Sequence, residues 1–200
     1  CILKMNSDDN LIGRELERSA QVIMPGGWAV ERERPVATLL GSCVAVALYD
    51  PAVKLGGLNH FMLPRFERVA GKDDVDALLA GDYSMEALLN AMLVRGAKKA
   101  RLVAKAFGGG MVVSSLDRSQ IGQRNVEFAR DWLAREGIPL VASDFLGHCS
   151  RKVVLDPRSG DVFCKRAASS LAISQRIESQ EQVYAASLAQ PPKKSNIELF

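Results

Sequence analysis

Two hundred residues, at roughly 150 per domain, make one folded domain with a tail, and a hydrophobic fraction of 48% excludes disorder throughout. Twenty-six Lys and Arg against 23 Asp and Glu leave a net charge of +3, mixed along the chain. That field is too weak to mark a nucleic-acid binder.

No apolar run approaches the roughly 18 residues of a membrane helix, and the N-terminus lacks a basic segment followed by an apolar stretch and a small-residue cleavage site. A soluble protein of the cytoplasm is expected. Residues 1–24 read as a poorly ordered lead-in, polar and without a strong period. After Pro25-Gly26-Gly27 come short apolar stretches at 28–30, 37–40 and 44–49, bounded by Gly, Pro or charge, which read as strands. A turn around Asp50-Pro51 returns the chain as a strand over 55–63, and a charged loop follows Pro64.

Met85, Leu88, Leu89, Met92 and Leu93 recur at one-face helical spacing, so a helix is predicted over 84–95, with Asp82 or Ser84 at its start and Gly96 at its end. A strand over 100–107 runs into Gly108-Gly109-Gly110. A second helix, 121–136, carries Val126, Ala129 and Leu133 on one face. Strands follow at 138–143, 152–155 and 162–165, the last two joined by the turn sequence Asp156-Pro157-Arg158-Ser159-Gly160. A rather polar helix is expected from Ser170 to about Gln190, then a Pro-Pro linker and an apolar terminus. Strands and helices without regular βαβ alternation predict an α+β fold, with mixed sheets or a sandwich and helices on the outside.

Four cysteines, Cys1, Cys43, Cys149 and Cys164, show no C-x-x-C and no close pairing. Neither a disulfide framework nor a zinc finger is signalled. The chain has only His60 and His148 as histidines. If the chain reverses between Pro51 and Ala52, Tyr49 faces Lys54 and Cys43 faces His60, close enough for a thiol and an imidazole to meet. In that register one face carries Cys43, Ala45, Ala47 and Gly56, and the other carries Val44, Val46, Leu48, Leu55 and Phe61, which suits a core.

A free thiol is only a few per cent ionised at neutral pH. A neighbouring imidazole can take its proton, and the slim Gly41-Ser42-Cys43 backbone can aim N–H groups at a developing oxyanion. A Cys in an apolar strand is nevertheless more often a small hydrophobe. His148-Cys149 is a weaker pair, read mainly as a loop. Phe107-Gly108-Gly109-Gly110 lacks the Gly-Lys-Ser/Thr ending of a phosphate loop and reads as a turn near another chain segment. No metal-ligand pattern appears, and no metal or cofactor is expected.

Thr38-Leu39-Leu40-Gly41-Ser42-Cys43-Val44-Ala45-Val46, Asp50-Pro51, Gly56-Gly57 and Asn59-His60-Phe61-Met62-Leu63-Pro64 resemble the signature of CheD, the chemoreceptor glutamine deamidase family of bacterial chemotaxis. Later blocks, at 104–111, 121–125 and 144–151, extend the resemblance over about 25–166. It implies a catalytic domain over 25–168, with a C-terminal helix and tail over 169–200. It also implies a β-sandwich flanked by helices, similar to deamidating bacterial toxin domains, with a Cys nucleophile at Cys43 and a partner His60. The family's orienting Thr is expected six residues before the Cys, where this chain has Ala37, so the role is carried to Thr38. Ser42 and Asn59 are assigned to the substrate and oxyanion. The implied substrates are glutamines of methyl-accepting chemotaxis proteins, the implied second partner a CheC-type phosphatase. A receptor methylesterase and a non-catalytic module binding receptor or phosphatase remain alternatives.

Overall fold

A computed structural model describes residues 7–63, 73–111, 116–168 and 171–188. Two mixed sheets face each other. The strands are β1 (Gln21–Val22), β2 (Trp28–Glu31), β3 (Val36–Leu40), β4 (Val44–Asp50), β5 (Leu55–Asn59), β6 (Val103–Gly108), β7 (Leu140–Phe145), β8 (Cys149–Asp156) and β9 (Asp161–Ala168). One sheet has the order β1-β3-β8-β9 and the other β2-β5-β4-β6-β7. The expected α+β sandwich with helices outside is therefore what forms.

Alternation along the strands decides the layers, because successive side chains of a strand point to opposite faces. Cys43, Ala45, Ala47, Leu58 and Phe107 point inward and meet Val36, Leu40, Val153 and Leu155 of the facing sheet. Val44, Val46, Leu48, Leu55 and Phe61 point the other way, onto helices α2 (Asp73–Val94) and α3 (Leu116–Arg135), through Met85, Leu88, Met92, Ala129, Trp132 and Leu133. Both faces are as the sequence predicts.

Several boundaries differ. Where a poorly ordered lead-in was expected, Ser7–Ser19 form helix α1, whose Leu16 is buried with Ala37 and Val154 on the outside of the β3–β8 pair. Helix α2 starts well before the expected Asp82 or Ser84 cap. Gly81 acts there as a packing site, since a Cβ on it would lie 2.6 Å from Leu63 and Phe128. Asp82 instead accepts a hydrogen bond from Arg135 at 2.7 Å, and Ser84 is buried. The loop after Pro64 and the apolar terminus at 197–200 lie outside the described residues.

The hairpin register is corrected by two residues. Tyr49 pairs with Gly56 and Asp50 with Leu55, and an isolated bridge pairs Val44 with Phe61. The loop therefore holds residues 51–54. Asp50 shapes it by accepting the Ala52 N–H at 3.0 Å, and Lys54 adopts a left-handed φ of 46°. A shift by two leaves every side chain on its face. Cys43 lies opposite Met62 instead of His60, and His60 becomes its diagonal neighbour on the same face, a placement about 7–8 Å away.

Candidate active site

Gly41-Ser42-Cys43 is the segment by which the chain leaves β3 in one sheet and enters β4 in the other. All three of its carbonyls are held. Gly110 N–H donates to Gly41 O at 2.7 Å, and Gly109 N–H to Cys43 O at 2.8 Å. The Asn125 amide, from α3, donates to Ser42 O at 2.8 Å and accepts Leu63 N–H at 2.8 Å. The glycine run thus clamps the Gly41-Ser42-Cys43 segment, the backbone role its sequence suggested. Gly108 has φ +124°, and a Cβ there would lie 2.1 Å from Cys43 O.

His60 continues β5 by backbone bonds with Gly26 and Gly27, and it is 2% exposed. Its Nδ1 lies 2.7 Å from Thr38 Oγ1, and the same hydroxyl donates to Ile23 O at 2.9 Å. A hydroxyl has one proton to give. With that proton on Ile23 O, Thr38 accepts from Nδ1–H, which leaves the lone pair of a neutral imidazole on Nε2. Burial drives the His60 pKa down to about 3, so the ring is neutral near pH 7. Nε2 is buried and makes no hydrogen bond.

Cys43 is fully buried. Its thiol points its proton at Glu181 Oε1, 3.5 Å away, on helix α4 (Leu171–Leu188). Burial first, then the negative charge of Glu181, raises the thiol well above its ordinary pKa. Ser42 gives its N–H to Oε1 at 2.9 Å and its hydroxyl to Oε2 at 2.8 Å. A donor pair beside the sulfur is what an oxyanion needs.

Thr38 and His60 are joined by a hydrogen bond, Ser42 and Cys43 meet at Glu181, and Cys43 and His60 share one sheet face as diagonal neighbours. Asn59 joins none of them. One residue from His60, it faces the opposite side of the sheet, where Oδ1 accepts Val46 N–H at 2.8 Å and Nδ2 reaches Ser84 and Met85 on α2. Its strand position alone turns it away from the thiol, and its place is structural. His148 is exposed beside the half-buried Cys149. A cavity of about 370 Å³ lies elsewhere, among Gly13, Leu39, Lys152, Phe163 and Ile173, and none of the predicted site residues lines it.

Sequence reasoning missed Asn125 and Glu181. Asn125 falls in a matched block but carries no chemical signature of its own. Glu181 had a signal: it sits four after Ile177 and three before Tyr184, a carboxylate on the apolar stripe of a polar helix.

Residues 62–166 match the family model described as CheD chemotactic sensory transduction. The chain is 58% identical over 193 residues, 95% of its length and 98% of the relative's, to a "Probable chemoreceptor glutamine deamidase CheD 2" of Dechloromonas aromatica. The chain belongs to the CheD family. A CheD protein of Burkholderia thailandensis named in the same words is 42% identical, covering 94% of this chain and 96% of its own. Among solved structures, a Neisseria meningitidis protein of the family model DUF152 is similar over 72% of each chain, at 12% identity and a TM-score of 0.38. The family membership is what the quoted signature implied.

Among the described residues no helix is long and apolar enough to cross a membrane.

Proposed function

We propose that this CheD protein hydrolyses the side-chain amide of glutamines in chemoreceptors, releasing ammonia and leaving glutamate. The observation that carries the reading is the Thr38–His60 hydrogen bond of 2.7 Å on the sheet face that bears Cys43, in a chain whose relatives are named chemoreceptor glutamine deamidases. His60 Nε2, unprotonated, takes the thiol proton of Cys43. The thiolate sulfur adds to the amide carbon, and the oxygen's new charge falls to the Ser42 N–H. The imidazolium returns the proton to the departing nitrogen, and ammonia leaves a thioester. Water, deprotonated by the same nitrogen, then cleaves the carbon–sulfur bond to give glutamate and the free thiol. Thr38 keeps the proton on Nδ1 throughout, as an orienting third residue does.

The reaction takes place in the cytoplasm, on receptor segments exposed there. A CheC-type phosphatase is proposed as a second partner. Each conversion adds one negative charge to the receptor and creates a carboxylate. The test is purified full-length protein incubated with receptor, each receptor glutamine being read by mass spectrometry. Wild type gives a gain of about one dalton at particular glutamines. Cys43→Ala and His60→Ala lower the rate on the order of a thousandfold or more while remaining folded. Retained conversion in Cys43→Ala refutes the mechanism, and loss of methyl esters without amide conversion replaces deamidase by methylesterase.

A further inference from the structure

Helix α4 lies directly over the nucleophile. Ile177, Glu181, Tyr184 and Ala185 fall at i, i+4, i+7 and i+8, one face of the helix. Ile177 and Glu181 are buried, and Tyr184 and Ala185 pack on the cluster that contains Cys43, Ala45 and Met62. The Tyr184 ring also covers Gly26, next to the backbone that holds His60.

The chemistry of the contact is specific. Burying a carboxylate costs several kcal/mol unless it is well bonded, and among the described residues no cation pairs with Glu181. Its oxygens are satisfied by the Ser42 N–H, the Ser42 hydroxyl and the Cys43 thiol. A glutamate on a helix, its carboxylate at the sulfur and at the oxyanion donor, is chemically what hydrolysis of a helical glutamine leaves behind. In this arrangement Cys43 is 0% and His60 2% exposed. A side chain from another protein reaches neither, and the thiol faces a carboxylate in place of the imidazole.

We infer that α4 is a tethered product mimic seated in the groove that receives the substrate helix, so that a receptor helix must displace α4 to be deamidated. This rests on the deamidase reading and extends it. The groove takes a helix that presents its glutamine to Cys43 and a small residue one turn on, where Ala185 now packs. The bulk of Tyr184, three residues on, fills the space over Gly26. The resting enzyme is thereby held off, both sterically and by a charge that keeps the thiol protonated.

The test uses the full chain and two readouts. The first is alkylation of Cys43 by iodoacetamide, followed by mass spectrometry with Cys149 as the internal reference. Glu181→Ala and Ile177→Asp accelerate it on the order of tenfold. Equal rates in wild type and Glu181→Ala overturn the cover; that variant removes only the carboxylate and bears the test alone if Ile177→Asp fails to fold. The second is Glu181→Gln, which puts an amide where the carboxylate sat. The protein then converts its own position 181, gaining about one dalton, and does not when Cys43→Ala is added. An amide that persists at 181 in a protein that deamidates receptors overturns the product-like pose. Faster alkylation of Glu181→Ala, with receptor glutamines intact in every variant, leaves the cover standing and removes the deamidase reading instead.

Discussion

Thr38 Oγ1 and His60 Nδ1 lie 2.7 Å apart, and because Thr38 spends its one proton on Ile23 O, it fixes which imidazole nitrogen is basic. Thr38→Val keeps the shape and removes that control. A ring free to carry its proton on Nε2 cannot accept from Cys43. The expected fall in kcat is roughly tenfold to a hundredfold, part of the ~10²–10⁴ that general acid–base catalysis supplies. KM stays unchanged, since the Thr38 hydroxyl is buried and spent on Ile23 O and His60 Nδ1. Thr38→Ser, which retains the hydroxyl, restores most of the rate. Steady-state kinetics on receptor glutamines, with the pH–rate profile of each variant, check it. A Thr38→Val enzyme as fast as wild type refutes the orienting role.

Gly108 carries two constraints at once, a φ of +124° and a Cβ position 2.1 Å from Cys43 O. Gly108→Ala therefore strains the backbone and pushes on the Cys43 carbonyl. A loss of roughly 2–4 kcal/mol is expected, together with most of the activity. Gly96 is the control, since its φ of +99° meets nothing within 4 Å. Gly96→Ala shows the strain alone, about 1–3 kcal/mol, and leaves activity intact. Denaturant melts of the two variants and their deamidation rates separate clash from strain.

What could be seen in advance divides along physical lines. Strand alternation is a local property, so the inward face of Cys43 and Ala45 and the outward face of Val44 and Phe61 were readable from the sequence. The register was not, because it depends on a loop shaped by the Asp50 side chain, which itself is held by Arg101 Nη2 at 2.7 Å and Lys98 N–H at 2.9 Å. Those partners lie some fifty residues away. The prediction that Cys43 and His60 share a face survived because a two-residue error preserves parity. Helix α1 was missed because its single buried apolar anchor, Leu16, leaves a weak period. Thr38 was reached through resemblance, and only the fold reveals that its hydroxyl bridges β1's continuation at Ile23 to the imidazole. Glu181 stands out as a carboxylate on the apolar stripe of its helix, but its partners, Ser42 and Cys43, depend on where that helix docks, which no local pattern carries.

Asn125 ties two buried backbone groups together, one on each side of the site. Asn125→Leu leaves the Ser42 carbonyl and the Leu63 N–H unpaired, at about 1–3 kcal/mol each. Asn125→Asp keeps an acceptor for Leu63 but turns an oxygen toward the Ser42 carbonyl. Both lower stability. Both also lower kcat, because the Gly41-Ser42-Cys43 segment loses its tether from α3. Chemical denaturation and the receptor assay measure the two effects. Unchanged kcat in a folded Asn125→Leu protein dismisses the tether as a contributor to catalysis.

His60 also makes stability depend on pH. Burial holds its folded pKa at about 3, below the roughly 6.5 of an unfolded chain. Between those two values the unfolded chain binds a proton at this position and the folded protein does not, so acid favours unfolding. The contribution is fully present above about pH 6.5 and is lost progressively as the pH falls toward 3. The slope in that window approaches about 1.4 kcal/mol per pH unit for one group. Asp50 and Asp144, each held at about 2 in the folded protein, act in the same direction but only near and below their ordinary pKa of about 4. The interval from pH 6.5 to 5 therefore isolates the histidine. Urea melts of wild type and His60→Gln across that interval test it: wild type loses stability on acidification and the variant is flatter. Parallel curves mean that His60 takes up its proton in the folded protein, and the neutral base assigned to Nε2 falls with them.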